Sequence, residues 1–399
     1  MNEAANDLNN PPPTERKRRF GVKIFIALVL AAVIIAALFA VNNIGGGISF
    51  SAVKRTWAVI TGGASDVGFS FEDGYDAVFA DLGGAVVAAG NAGVAVYDEA
   101  GHELARDILN MRNPAVAAGG GIAVAYGVGG RGIRVVGETG IIASITFEND
   151  IVSCSVGSSS GFLSGGTLFA VCTKGADNYR GQVTVYKLAG NDPEKVYDWF
   201  SGDSGYVLAA EISPENDAFA ALTLSPQGGR VVFLNLNEKE PSGQYTHAGA
   251  AIIEIGYQGG DTVIARTADG LLAIDGTGAA KEIYSFDAKI VAGYSDDGSA
   301  IALYFESAAG GGSGELVVLD RKGAELGRMN TSRSLVWLSS YADRIAALWD
   351  DGLIIYDRNL RLIVSYPEAS GMLRGYSRGG GRAVVFGNRE GKAFSGKTE

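Results

Sequence analysis

The sequence predicts an all-β fold, an eight-bladed β-propeller of four-stranded blades preceded by one N-terminal transmembrane helix. Three observations carry the propeller. From about Tyr75 to Glu399 one phrase recurs: an alternating strand, a tight turn, a second strand ending in an aliphatic residue or Tyr and then Asp, and a further turn. It reads AVVAAGNAGVAVYDEAG at 85–101, DTVIARTADGLLAIDGTG at 261–278 and RIAALWDDGLIIYDRN at 344–359. The position after the third strand of each unit falls at Asp98, Gly137, Lys187, Asn235, Asp275, Asp320, Asp357 and Gly396, a step of about 43 residues, which is the length of one blade. The chain also holds 58 Gly in 399 residues, about twice the ordinary share of roughly 7%, as many short strands joined by turns of positive φ require.

Taken in order, residues 1–19 form a polar, disordered tail with a run of three prolines, read as cytoplasmic. It ends in the basic cluster Arg16, Lys17, Arg18 and Arg19. The stretch from Phe20 to Val41 follows, 22 mainly apolar residues that make about 33 Å of helix against a hydrocarbon core of about 30 Å. Lys23 lies one turn in, where its stem can snorkel. A cleaved secretory signal has a shorter apolar core and a small-x-small site; here the 18 residues from Ile24 to Val41 are uninterrupted, which favours an uncleaved anchor. The basic cluster before the span sets the expected topology, with the N-terminus cytoplasmic and the remainder extracytoplasmic. Residues 42–65 are a linker, opening on the flexible NNIGGG.

The propeller is expected over residues 66–399. Unit one reads as strands at 76–81, 85–89, 94–98 and 103–108. The innermost strands are small and apolar, as at 115–118 and 290–293, which suits packing near a narrow axis. The last unit supplies strands only at 372–376, 382–387 and 392–395, and then the chain stops. An orphan strand at 66–72, with Val67, Phe69 and Phe71 alternating, precedes unit one. Placed as the missing outer strand, it closes the ring and covers an otherwise exposed edge. The count is eight blades, or seven if one weak unit is misread.

The Asp-x-x-Gly turns at 98–101, 275–278 and 320–323 resemble the repeats of quinoprotein-like propellers, a group that includes BamB-like proteins. The turns at 213–216 and 295–298 resemble those of TolB and WD-repeat propellers. A basic tail, one span and such a propeller also resembles a group of membrane-anchored bacterial propellers of unknown function. Quinoprotein repeats end in a tryptophan that docks neighbouring blades, whereas the corresponding positions here hold Leu104, Ile283 and Leu326. That departure argues against a quinone cofactor.

Catalytic signals are sparse. Gly127-Val-Gly-Gly-Arg-Gly132 matches a dinucleotide string, but it joins two strands where a dinucleotide site needs a strand and a helix. His102 and His247 are 145 residues apart and both next to turns, so neither zinc nor triad chemistry is indicated. Asp296-Asp297-Gly298 reads as a turn without calcium-loop spacing. Cys154 and Cys172 lie on consecutive strands whose midpoint coincides with the loop centre, so a simple hairpin sets them opposite one another. The reading keeps two alternatives, buried free thiols or a disulfide in an exported domain. No catalytic, metal or cofactor residue is assigned.

The formal charge is −11. Residues 1–41 hold five basic and three acidic residues, which leaves 28 against 41 and a charge of −13 for the remainder. An acidic globular part argues against nucleic acid as the partner. The expected function is a non-enzymatic, membrane-anchored extracytoplasmic platform for an envelope protein or a cell-wall ligand. Its contacts are expected from one rim, where the insertions at 157–166, 177–181, 238–244 and 308–314 differ between blades. The alternative is a small-molecule sensor or enzyme using the central channel, for which Glu211, Arg374 and Trp337 are the polar or large candidates. A purely structural spacer is the third reading.

Overall fold

The structure, a computed structural model, describes residues 67–71, 77–98, 101–158, 166–176, 178–307 and 312–396. All of them belong to the second of two compact units, Gly62–Glu399. The expectations for the basic tail, the span from Phe20 to Val41 and the linker fall outside the described residues. Among those that are described, no helix is long and apolar enough to cross a membrane.

These residues form eight four-stranded antiparallel sheets, as the repeat count predicts. Blades 1 to 7 span 78–108, 114–146, 151–200, 206–248, 254–285, 290–331 and 335–366, each with its strands in chain order from the axis outward. Blade 8 is built from both ends of the domain. Arg374–Gly379, Arg382–Phe386 and Glu390–Phe394 are joined on the outside by Val67–Ser70, with Val67 opposite Ala393 and Ser70 opposite Glu390. The orphan strand therefore closes the ring. Beyond it, Phe71 is fully buried, and its N–H donates to Arg389 O at 2.7 Å. Phe71 packs edge-on to Phe79 and Tyr97, while Phe79 stacks on Phe386 of blade 8 at 4.5 Å.

A hydrophobic core fills the space between every adjacent pair of blades. This explains why the second strands read as unbroken apolar runs: both of their faces are buried, so the period-2 signal disappears. In blade 4, Phe219 and Ala221 face blade 3, and Ala220 and Leu222 face blade 5.

Turns lie against the outer strands of neighbouring blades. In the Asp-x-x-Gly turn of blade 5, Asp275 Oδ1 accepts from the N–H groups of Thr277 and Ala279, both at 3.0 Å, and Gly278 N–H closes on Asp275 O at 2.8 Å. Asp320 and Asp357 repeat the pattern, with Leu360 taking the glycine place at φ +60°. Gly278 and Gly323 have φ of +88° and +81° and lie against the backbone of Gln244 and Ile283, on the outer strands of the preceding blades. Each turn thus fixes its own hairpin and seats it on its neighbour.

Cys154 and Cys172 are not opposite one another. A bulge between Ile151 and Ser153 shifts the register, so Cys154 faces Val171 and Cys172 faces Ser153. A shift of one residue moves a side chain to the other face of a sheet. Cys172 accordingly packs into the core between blades 3 and 4, and Cys154 into that between blades 2 and 3. Both are free thiols. Burial pushes the Cys172 thiol up to about 12 and raises Cys154 well above its usual range, so both are poor nucleophiles at neutral pH. Alkylation of denatured, unreduced protein is expected to label two thiols, with slow labelling of the native form. A product that labels only after reduction would establish the bridge instead.

Candidate functional site in the central channel

The first strand of each blade contacts the first strand of its neighbours around most of the ring, so these strands line the axis. Their hydroxyls stitch blades together. Ser153 Oγ donates to Leu208 O at 2.9 Å, Ser295 and Ser340 share a bond of 2.8 Å, and Ser339 Oγ donates to Gly375 O at 2.8 Å. Between blades 8 and 1 the link is ionic. Arg378 donates to both carboxylate oxygens of Asp81 at 2.7 Å, with the two side chains 9% and 12% exposed.

Acidic groups converge on blades 4, 5 and 6. Glu211 lies on Tyr206–Ile212, Glu254 opens Glu254–Tyr257, and Asp296 ends Ile290–Asp296. Glu254 stands opposite Arg266 in register and pairs with it. The Arg266 guanidinium sits over the Tyr294 ring at 5.2 Å. Asp296 accepts from Gln258 Nε2 at 3.2 Å on both oxygens, from Gly298 N–H at 2.8 Å and from Tyr294 OH at 3.5 Å.

Burial, then the charges of Asp296 and Glu254, push the Glu211 carboxyl up to about 8. Burial also raises Asp296 to about 6, opposed by the bonds from Gly298 and Gln258. At neutral pH the group therefore holds a protonated Glu211 beside an ionised Asp296. Such a pair can hold or pass a proton, or accept a cation.

This carries a pH prediction. The unfolded chain releases the Glu211 proton near 4.5 and the folded chain retains it to about 8. Between those values the folded state binds more protons, so stability falls as pH rises, by about 1.4 kcal/mol per pH unit at the steepest. Glu211→Gln is expected to remove that slope. Parent and variant should have similar urea midpoints near pH 4.5, with the variant more stable near pH 8. Parallel profiles would mean that Glu211 is solvated.

Of the channel candidates read from sequence, Trp337 and Arg374 come together, with the guanidinium 5.2 Å from the ring centroid, while Glu211 has other neighbours. The sequence reading missed Glu254, Gln258, Arg266 and Asp296. A signal for two of them exists: in Glu254-Ile-Gly-Tyr-Gln258 the polar residues alternate on an inner strand that is otherwise apolar. Asp296, read only as a turn residue, also ends an inner strand.

His102 is exposed and bonds Asp98 at 3.2 Å, and His247 lies on the outer strand Gly243–Ala248 beside Tyr245. The glycine string spans the hairpin between Ile122–Gly127 and Gly132–Gly137. Among the described residues no group of three His, Cys, Asp or Glu is arranged to hold a metal ion. The insertions do not share a rim. Residues 159–165, 177 and 308–311 lie outside the described residues, but the strand ends that flank 157–166 and 238–244 (first to second and third to fourth strands) are at one face, and those that flank 177–181 and 308–314 (second to third strands) are at the other.

The sequence profile of a group described as "Family of unknown function (DUF5711)" matches residues 67–388, nearly the whole ring. The chain belongs to this family. No curated protein sequence matches it. Among solved structures, this family member resembles Sqt1 of Saccharomyces cerevisiae, with 14% identity over 83% of this chain and 99% of that one and a TM-score of 0.58. Sqt1 of Chaetomium thermophilum, bound to the N-terminus of the ribosomal protein L10, gives 15% identity over 82% and 98% and a TM-score of 0.55. The C-terminal WD40 domain of Sif2 gives 13% identity over 83% and 99% and a TM-score of 0.51. BamB from Moraxella catarrhalis gives 15% identity over 84% and 98% and a TM-score of 0.49. At these identities the likeness is one of fold, and the fold is the propeller that the repeats predict.

Proposed function

We propose that this protein is a membrane-tethered, extracytoplasmic interaction platform without a catalytic role, and that it binds its partner through one face of the ring. The observation that carries the reading is the distribution of exposed apolar side chains. Most lie at the face that carries the inter-blade connections and the second-to-third strand turns, including Ile108, Val128, Ile253, Ile290 and Leu373. The densest group spans blades 3 and 4. There Tyr179 and Phe200 are in ring contact at 4.8 Å, and Arg180 sits 5.6 Å from the Tyr206 ring centroid. Tyr179, Phe200 and Tyr206 are 47%, 42% and 60% exposed. Exposed aromatic residues beside Arg are the composition of interface anchors. Sqt1 held with the N-terminus of L10 is a precedent for a peptide on this fold.

The tether is the apolar stretch from Phe20 to Val41, with Arg16, Lys17, Arg18 and Arg19 setting its direction. The test is crosslinking of the full-length protein in intact membranes, alongside a Tyr179→Ser, Tyr206→Ser variant. The expected result is a protein or cell-wall partner captured by the parent and lost by the variant, with the ring protected from protease added on the cytoplasmic side. Equal capture by parent and variant, no partner in several detergents, or cleavage from the cytoplasmic side would sink this reading.

A further inference from the structure

The Gln258 amide presents a buried acceptor that is not satisfied. Gln258 is 4% exposed, its Nε2 is spent on Asp296, and its Oε1 has no donor. A buried acceptor without a donor is destabilising, and native structures keep few of them. This one borders the carboxyl group of the channel, because the Nε2 of the same amide donates to Asp296. Gly256, two residues before Gln258, lets the Asp296 carboxylate approach the inner strand closely: a Cβ there would crowd Asp296 Oδ2 at 3.3 Å. Glu211, Glu254 and Asp296 are accompanied by one base, Arg266, which is engaged by Glu254 and Tyr294. The group is therefore rich in acceptors and short of N–H donors.

We propose that the Asp296, Gln258 and Glu211 group is a binding site for a small organic cation with a primary ammonium head. An ammonium is a compact charge with three N–H donors, the complement of an amide oxygen and two carboxyl groups contributed by different blades. A guanidinium needs a free carboxylate fork, but both Asp296 oxygens already accept from Gln258, and Glu254 is held by Arg266. A metal ion lacks a ligand set among the described residues.

The surroundings favour cations. A cleft of ≈ 480 Å³ between blades 4 and 5 is lined by Glu215, Asp217, Glu238, Asp261 and Tyr257, with no lysine or arginine among its described lining residues. Tyr257 joins cleft to channel: burial, then Asp217, Asp261, Glu215 and Glu211, raise its hydroxyl. Acid-lined clefts concentrate cations. The ammonium would also favour the ionised form of Glu211. With Glu254, Tyr257, Arg266, Tyr294 and Asp297 facing the same group, binding should tighten as pH rises and should release protons.

The inference does not rest on the platform reading, and a captured partner would neither support nor oppose it. Its test is calorimetry on the full-length protein with n-pentylamine, n-pentanol, Mg²⁺ and Ca²⁺. Saturable binding of pentylamine and not pentanol is expected, about tenfold tighter near pH 8 than near pH 6, the range over which the two carboxyls ionise. Asp296→Asn and Gly256→Ala should each weaken binding about tenfold or more. Gly256→Ala crowds the Asp296 carboxylate without removing a charge, so it reads the site even if Asp296→Asn does not fold. Thermal midpoints of each variant report folding. No saturable pentylamine binding near pH 8, an unchanged affinity in Gly256→Ala, or a divalent ion that pentylamine cannot displace would each overturn the assignment.

Discussion

Asp81→Ala is expected to destabilise the ring by about 3–5 kcal/mol, the cost of removing one partner from a buried ion pair. Asp81 and Arg378 are 297 positions apart and join the first blade to the last. Their bidentate geometry and low exposure set them apart from pairs such as Arg131 with Asp150, at 63% and 31% exposed, where water screens the attraction and little stability is lost. Most of the cost comes from burying a guanidinium whose neutralising carboxylate has gone. The double variant Asp81→Leu, Arg378→Met should therefore recover much of the loss, since replacing a buried pair by apolar groups is often close to neutral. Urea midpoints of the parent, both single variants and the double variant form the cycle. A double variant as unstable as Asp81→Ala would show that the loss lies in packing and not in charge.

Gly278→Ala and Gly323→Ala should each cost about 2–5 kcal/mol, from two separate penalties. An L-residue at φ near +80° loses about 1–2 kcal/mol. The new Cβ also meets the carbonyl oxygen of Gln244 or Ile283 on the neighbouring blade, which is backbone and cannot rotate aside. Gly121 separates the two effects. It has φ +80° with nothing within 4 Å of a Cβ, so Gly121→Ala should show only the conformational cost, about 1–2 kcal/mol. Equal losses at all three positions would mean that the Asp-x-x-Gly turns do not dock blades.

Much of the ring was legible because its signals are local. Strand alternation, Asp-capped turns and glycines of positive φ each depend on a few consecutive residues; their repetition puts the count at eight blades with seven left open, and the eight sheets decide between them. Closure by Val67–Ser70 could also be read, since a final unit with three strands and an orphan strand before the first unit have one economical solution. The cysteine pair shows where such reading stops. A single bulged residue at 151–153 sends Cys154 and Cys172 to opposite faces, and nothing in the local sequence announces it.

The channel group was illegible for a related reason. Glu211, Glu254 and Asp296 are about one repeat apart; Glu211 alone reads as a channel residue, while Glu254 and Asp296, each taken singly, read as a surface acid and a turn residue. The sequence by itself determined the blades, their order and their closure into a circle, because hydrogen-bonded hairpins are chosen by neighbours along the chain. Only the tertiary structure decided which carboxyls share a desolvated space, which apolar side chains gather on one face and which insertions lie on which rim. Those depend on contacts between blades, where the distance in space bears no relation to the distance in sequence.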